Sequence, residues 1–331
     1  MKLNWFVCAL LCTILWACAD LFYKKGADTK DKYSHIRTVI MVGFVMGIHA
    51  VFYMITNGLS FDPKLILIYL PVSFCYIFSM AVGYLGLRYL ELSIASPIQN
   101  SSGAVAAILL FFIGGADFGA IMTPIGMLNL SGIIVITVGV VWLAFVEKKE
   151  EIPVEVTKEN KKYISGLVAI CFPIIYCVFD SLGTTLDGVY LDEKQILTED
   201  EGLIAYELTF LIVAIVCLLF ITVVKKQKFS VISEKDKGIA AIFETAGQFF
   251  YVFAMGGEAI VAAPIVASYC IFSVILSRIF LKERLSKLKY ATVALVMVGI
   301  VILGIGEGIG ESESGEDIAE DGIEVVTAAE Q

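Results

Sequence analysis

The sequence predicts an all-α integral membrane fold: ten transmembrane helices arranged as two inverted five-helix repeats. Three observations carry this. Hydrophobic residues make up 58% of the chain against 17% charged, and mean hydropathy is +0.85, too apolar for a protein whose whole surface meets water. The apolar runs are about 20 residues long, enough for a membrane-crossing helix and roughly twice the length of a barrel strand. The stretch Ile14-Leu15-Trp16-Ala17-Cys18-Ala19-Asp20 returns 160 positions later as Ile174-Ile175-Tyr176-Cys177-Val178-Phe179-Asp180, with the aspartate in register. A charged side chain at such a depth costs about 2.5–3.5 kcal/mol on insertion scales, so two in register point to a duplication around a polar centre.

In chain order the spans fall at 4–23, 36–56, 64–89, 93–114, 119–146, 163–185, 202–224, 237–256, 259–281 and 286–306. The first lacks a small-residue cleavage site and runs into Asp20 and Tyr23-Lys24-Lys25, so it reads as a retained helix and not a removed signal peptide. The charged run 147–162 divides the chain into a repeat at 1–146 and a second at 163–306, followed by an acidic, disordered tail at 307–331.

Further landmarks recur in order. Arg37-Thr38-Val39-Ile40 faces Glu207-Leu208-Thr209-Phe210 at an offset of 170. Tyr84 to Ile98, with Glu91 before Ser96-Pro97-Ile98, faces Tyr251 to Ile265, with Glu258 before Ala263-Pro264-Ile265, at 167. Val138-Gly139-Val140-Val141 returns as Val298-Gly299-Ile300-Val301 at 160. An odd number of spans per repeat makes the second enter the membrane from the opposite side. Segments after the odd-numbered spans hold 21 of the 24 Lys and Arg, leaving Lys2, Lys64 and Lys194 for the other face. The positive-inside rule then places both termini, the acidic loop 187–201 and the tail outside a cell membrane, with loop and tail as solvated ends.

Composition also excludes. The eight cysteines all fall inside the predicted spans without a CxxC pair, which leaves no disulfide framework and no metal site. No basic, aromatic-interleaved surface points to nucleic acid. No G-x-x-x-x-G-K-S/T motif is present, so no nucleotide cofactor is expected. The expected partners are a small-molecule substrate and the lipid bilayer, with monomer and homodimer both open.

The candidate site residues are the polar groups inside spans. Asp20 and Asp180 are read as cavity-lining acids able to bind a substrate or exchange a proton, against interfacial capping as the alternative. Glu244, Gln248 and Tyr251, spaced by four and three, form one polar stripe on an otherwise lipid-like helix. Glu207 and His49 complete the proton-coupling candidates. Pro97 and Pro264 are expected to kink their helices, bringing Gln99, Asn100 and Tyr269 to a substrate passage; close packing of small residues explains these segments equally well. Trp16 and Tyr176, four residues before the aspartates, share their helical faces and offer an aromatic wall, or simple packing.

The segment Gly256-Gly257-Glu258-Ala259-Ile260-Val261-Ala262-Ala263-Pro264, followed by Phe280-Leu281-Lys282-Glu283-Arg284-Leu285-Ser286 and the Gly299-containing last span, resembles EamA-type members of the drug/metabolite transporter superfamily. The resemblance spans nearly the whole chain and implies a ten-helix transporter built from two five-helix repeats. A glutamate shortly before the last helix of each repeat is a landmark of that family. Glu283 fits it, whereas the first half has Phe112-Ile113-Gly114-Gly115-Ala116-Asp117, which points Glu283 to a helix-end cap or pairing. The resemblance also implies cytoplasmic termini, opposite to the charge count.

The expected function is therefore secondary transport of a small organic metabolite or drug-like solute by alternating access, as a proton-coupled carrier or an exchanger. A non-transporting membrane sensor or assembly partner would need a sizeable soluble domain. A membrane-embedded lipid enzyme would need clustered acids or histidines, and the chain has two histidines in all. A channel would reveal itself by ionic current. The chain is not expected to be an enzyme.

Overall fold

A computed structural model describes residues 4–28, 31–86, 99–113, 119, 122–150, 171–280, 286–288, 290–292, 294–303 and 305–306. Among the described residues all regular structure is helical. The helices are α1 (Trp5–Gly26), α2 (Ser34–Asn57), α3 (Lys64–Ile68), α4 (Leu70–Gly86), α5 (Ser102–Ile113), α6 (Pro124–Glu150), α7 (Cys171–Gly188), α8 (Glu199–Leu219), α9 (Lys235–Ala267), α10 (Tyr269–Phe280) and the apolar α11 (Tyr290–Leu303). Among the described residues four stretches are long and apolar enough to cross a membrane, Trp5–Gly26, Ser34–Asn57, Glu199–Val224 and Lys235–Ser273, and further apolar helices are shorter.

Local chemistry sets several ends. The Asn4 carboxamide accepts from Phe6 N at 2.9 Å and Val7 N at 3.2 Å, satisfying amides that would otherwise face hydrocarbon. At α8, Thr198 and Glu201 form a reciprocal capping box. Helix α2 stops at Gly58, whose φ of 64° suits a residue without Cβ. Its buried Arg37 holds Asp31 at 2.8 Å, the Lys228 carbonyl at 2.9 Å and Gln227 at 3.0 Å, so a charge at the helix end ties α2 to the segment after α8.

The main packing pairs join the two halves of the chain. Helix α1 lies along α9 and touches α10; α2 packs on α8 and α9; α4 packs on α7; α5 lies between α7 and α9. Small residues permit the close approaches. A Cβ on Gly43 would meet the Phe210 carbonyl oxygen at 2.4 Å, and one on Gly103 would meet Ala267 Cβ at 2.4 Å. Large apolar side chains such as Phe52, Ile55, Phe112, Val216 and Val223 remain exposed, as a lipid-facing surface requires.

The helices depart from the sequence expectation in three places. The span expected at 64–89 is interrupted at Tyr69, a residue only 1% exposed whose hydroxyl donates to the Asp187 carboxylate. The spans expected at 237–256 and 259–281 run together in α9 but part at the expected boundary, Glu258, where the backbone leaves the helical region at φ −153°, ψ 78°. Pro264 sits six residues beyond that departure, and the next interruption is at Ser268, whose hydroxyl donates to the Ile265 carbonyl at 2.5 Å. The loop 187–201 is not wholly solvated. Asp187 is fully buried at the end of α7, and Asp192, in the π-helical turn Val189–Glu193, accepts from Ala259 N at 3.0 Å. Both carboxylates are drawn inward by donors that would otherwise be buried without a partner. Pro97 and Glu283 lie outside the described residues.

Candidate functional site

A cavity of about 100 Å³ lies between α1, α4, α5, α7, α8, α9 and α10. That is room for several waters or the reacting part of a small solute. Its wall includes Asp20 and Trp16 from α1, Asp180 and Tyr176 from α7, and Glu244, Gln248 and Tyr251 from α9. Gln99 and Asn100, just before α5, and Tyr269, at the start of α10, complete the set of candidates brought to the wall.

The spacing of four and three on α9 turns Glu244, Gln248 and Tyr251 to one side, and all three are at least nine-tenths buried. Asp180 is held by the Ser102 hydroxyl, which donates to its Oδ2 at 2.6 Å. Asp20 Oδ2 makes no hydrogen bond within 3.5 Å to a described residue, while the Ser273 hydroxyl and, one turn along α1, Lys24 both act on the Asp20 carboxyl. Glu244 feels the charges of both Asp20 and Asp180, so the three acids form one electrostatic unit.

The aromatic wall is ordered by glycines. Trp16 lies over Gly247, where a Cβ would come within 2.3 Å of its Cδ1, and Tyr176 lies over Gly83, where a Cβ would come within 2.7 Å of its Cδ2. Trp16 donates from Nε1 to the Glu244 carbonyl at 3.3 Å and stacks on Tyr251 at 5.1 Å, with Tyr269 edge-on at 6.0 Å. Tyr251 and Tyr76 share a hydrogen bond between their hydroxyls at 2.5 Å, and Tyr76 also donates to Thr184 Oγ1 at 3.2 Å.

Glu207 and His49 are brought together, but away from this wall. His49 Nδ1 lies 2.9 Å from each oxygen of Glu207, which is fully buried, while the imidazole packs against Tyr53 and Phe249. Sequence reading missed Tyr23, Tyr76, Tyr84 and Tyr206, which also line the cavity, because tyrosines in apolar spans look like packing until their hydroxyls are placed. It also missed the buried pair of Tyr69 and Asp187. An aspartate five residues before the acidic pair Asp192-Glu193 carries no mark of burial in sequence.

No curated protein matches the chain in sequence. One of 28 matching solved chains, titled "Crystal structure of protein", shares the fold with a TM-score of 0.66 at 12% identity, covering 92% of this chain and 99% of its own. Residues 201–305 match the EamA-like transporter family, and this stretch contains most of α8, the Glu258 break, Pro264 and α11. Its apolar helices and this match point to a multi-pass membrane protein, and over residues 201–305 the chain is similar to the EamA-like transporter family, which is part of the drug/metabolite transporter superfamily.

Proposed function

We propose that this protein is a secondary transporter that carries a small organic solute by alternating access, with its substrate held in the cavity between the two halves. The observation that carries this is the joint lining of one cavity by Asp20 and Asp180, which occupy equivalent positions of the sequence repeat.

The chain is taken as ten spans in two inverted repeats, at 1–146 and 163–306. Packing supports this. Exchanging the halves maps α1 on α9 onto α7 on α4, and α1 on α10 onto α7 on α5, while α2 on α8 maps onto itself. The aromatic and glycine contacts follow the same exchange of helices, Trp16 on Gly247 of α9 answering Tyr176 on Gly83 of α4, with the two glycines three positions apart in the repeat register. Such an arrangement gives two similar packings between which a central site can change sides. Proton coupling or exchange through Asp20, Asp180 and Glu244 belongs to this proposal, as do a cell-membrane location and termini on the outer face.

Counterflow in liposomes tests the function. Preloading with unlabelled substrate should accelerate entry of labelled substrate, saturably. A linear, non-saturating flux or an ionic current would replace the carrier with a channel. A tag on the C-terminus tests orientation: outside access is expected in intact cells, and protection would reverse it.

A further inference from the structure

The charge content of the cavity limits what it can hold. Its wall carries three carboxyl groups, and no Lys, Arg or His lines it among the described residues. Lys24 acts on Asp20 from beyond the wall, Asp180 takes a hydroxyl from Ser102, and the charges felt by Glu244 are those of the other two acids. In any protonation state the wall is neutral or negative. An anionic solute would enter without a counter-charge and lose its hydration, whereas a cation would find up to three acceptors.

Two observations independent of the acids point the same way. The side-chain amide of Gln248, in a residue only 4% exposed, lines the cavity and makes no hydrogen bond to a described residue, leaving its oxygen open to an N–H donor. Trp16 and Tyr251, stacked at 5.1 Å, and the edge-on Tyr269 supply aromatic surface, which attracts organic cations and accommodates an apolar body.

We propose that the solute is an organic monocation with an ammonium head, its charge held by Asp20, Asp180 and Glu244, its N–H groups reaching Gln248, and its apolar body against Trp16 and Tyr251. This rests on the transporter reading for movement of the solute.

The test uses the full-length protein and three probes with similar bodies: phenethylamine, 3-phenylpropionate and 3-phenylpropanol. Binding in detergent is followed by tryptophan fluorescence, and movement by counterflow in liposomes. Phenethylamine should bind at least about tenfold more tightly than either analogue. Glu244→Gln and Gln248→Leu should weaken the amine at least about tenfold and about threefold respectively, each by more than it weakens the alcohol, with thermal melting confirming that each variant is folded. Equal or tighter binding of the carboxylate or alcohol, failure of all three to bind, or amine binding indifferent to both substitutions overturns the assignment. Saturable counterflow of the alcohol or carboxylate without the amine overturns the cation assignment and leaves the carrier intact. Selective amine binding without counterflow upholds the charge assignment and overturns the carrier reading.

Discussion

The Ser102 hydroxyl donates to Asp180 Oδ2 at 2.6 Å, tying the start of α5 to the middle of α7 at the wall of the cavity. This bond holds one carboxyl oxygen and fixes the direction of the other. Asp180→Asn should therefore reduce saturable uptake at least about tenfold, equivalent to about 1.4 kcal/mol. Ser102→Ala should cost less, about threefold, because the carboxyl remains and only its orientation is freed. Uptake rates over a substrate series, normalised to protein in the liposomes, measure both. Unchanged uptake in Asp180→Asn would remove that residue from the site.

Trp16 over Gly247 and Tyr176 over Gly83 make the two glycines sensitive to a single methyl group. The approach is closer at Gly247, 2.3 Å against 2.7 Å, and Gly247 is clashed by an indole pinned by a hydrogen bond from its own nitrogen. Gly247→Ala is expected to destabilise by about 1–3 kcal/mol, the usual cost of overpacking, and Gly83→Ala by less. Thermal melting in detergent gives the order. Tryptophan emission should shift for Gly247→Ala and remain in place for Gly83→Ala, whose displaced ring is a tyrosine.

The His49 and Glu207 pair is a different kind of polar contact, because Glu207 is fully buried while His49 is 28% exposed on its side chain, and neither lines the cavity. Removing one partner strands a buried polar group, which costs about 1–3 kcal/mol. Glu207→Gln and His49→Ala should each lower the melting temperature. The double variant should lose less than the sum, giving a coupling of about 1 kcal/mol in a double-mutant cycle. The substrate concentration for half-maximal uptake should stay within about twofold of wild type in all three, since this pair bridges α2 and α8 away from the wall. A much larger shift would move it into the transport pathway.

Which parts of this arrangement are legible in the sequence follows from where each signal resides. Glu244, Gln248 and Tyr251 share a helical face whatever surrounds them, so their common direction follows from a period of 3.6 alone. Asp20 and Asp180 are legible because the pattern at residues 14–20 returns at 174–180 with its aspartate in register. The pairing of His49 with Glu207 is not, because the residues are separated by 158 positions and each is an isolated polar group in its own span. The break at Tyr69 is also hidden, whereas the one at Glu258 falls in the gap between the spans expected at 237–256 and 259–281. Neither residue is glycine or proline, and each break has a long-range partner beside it, Asp187 accepting from the Tyr69 hydroxyl and Asp192 from the Ala259 amide next to Glu258. Pro264 advertises a break that its own position does not show, since the non-helical backbone lies at Glu258.

Asp192 offers the final prediction. By breaking at Glu258, α9 exposes the amide of Ala259 at the start of its second part, in surroundings where Ala259 itself is fully buried. Asp192 reaches that amide at 3.0 Å, so a side chain from the π-helical turn after α7 serves as the cap of a helix start 67 residues further on. Asp192→Ala should cost about 0.5–2 kcal/mol, the range for loss of a helix cap, and Asp192→Asn should retain most of the stability because its oxygen still accepts. Hydrogen exchange separates this from a general loosening. Exchange should accelerate at Ala259 and its neighbours in Asp192→Ala while α2 and α8 stay protected. Uniform acceleration across the chain would mean that Asp192 supports the fold by another route, and that the second part of α9 keeps its start without it.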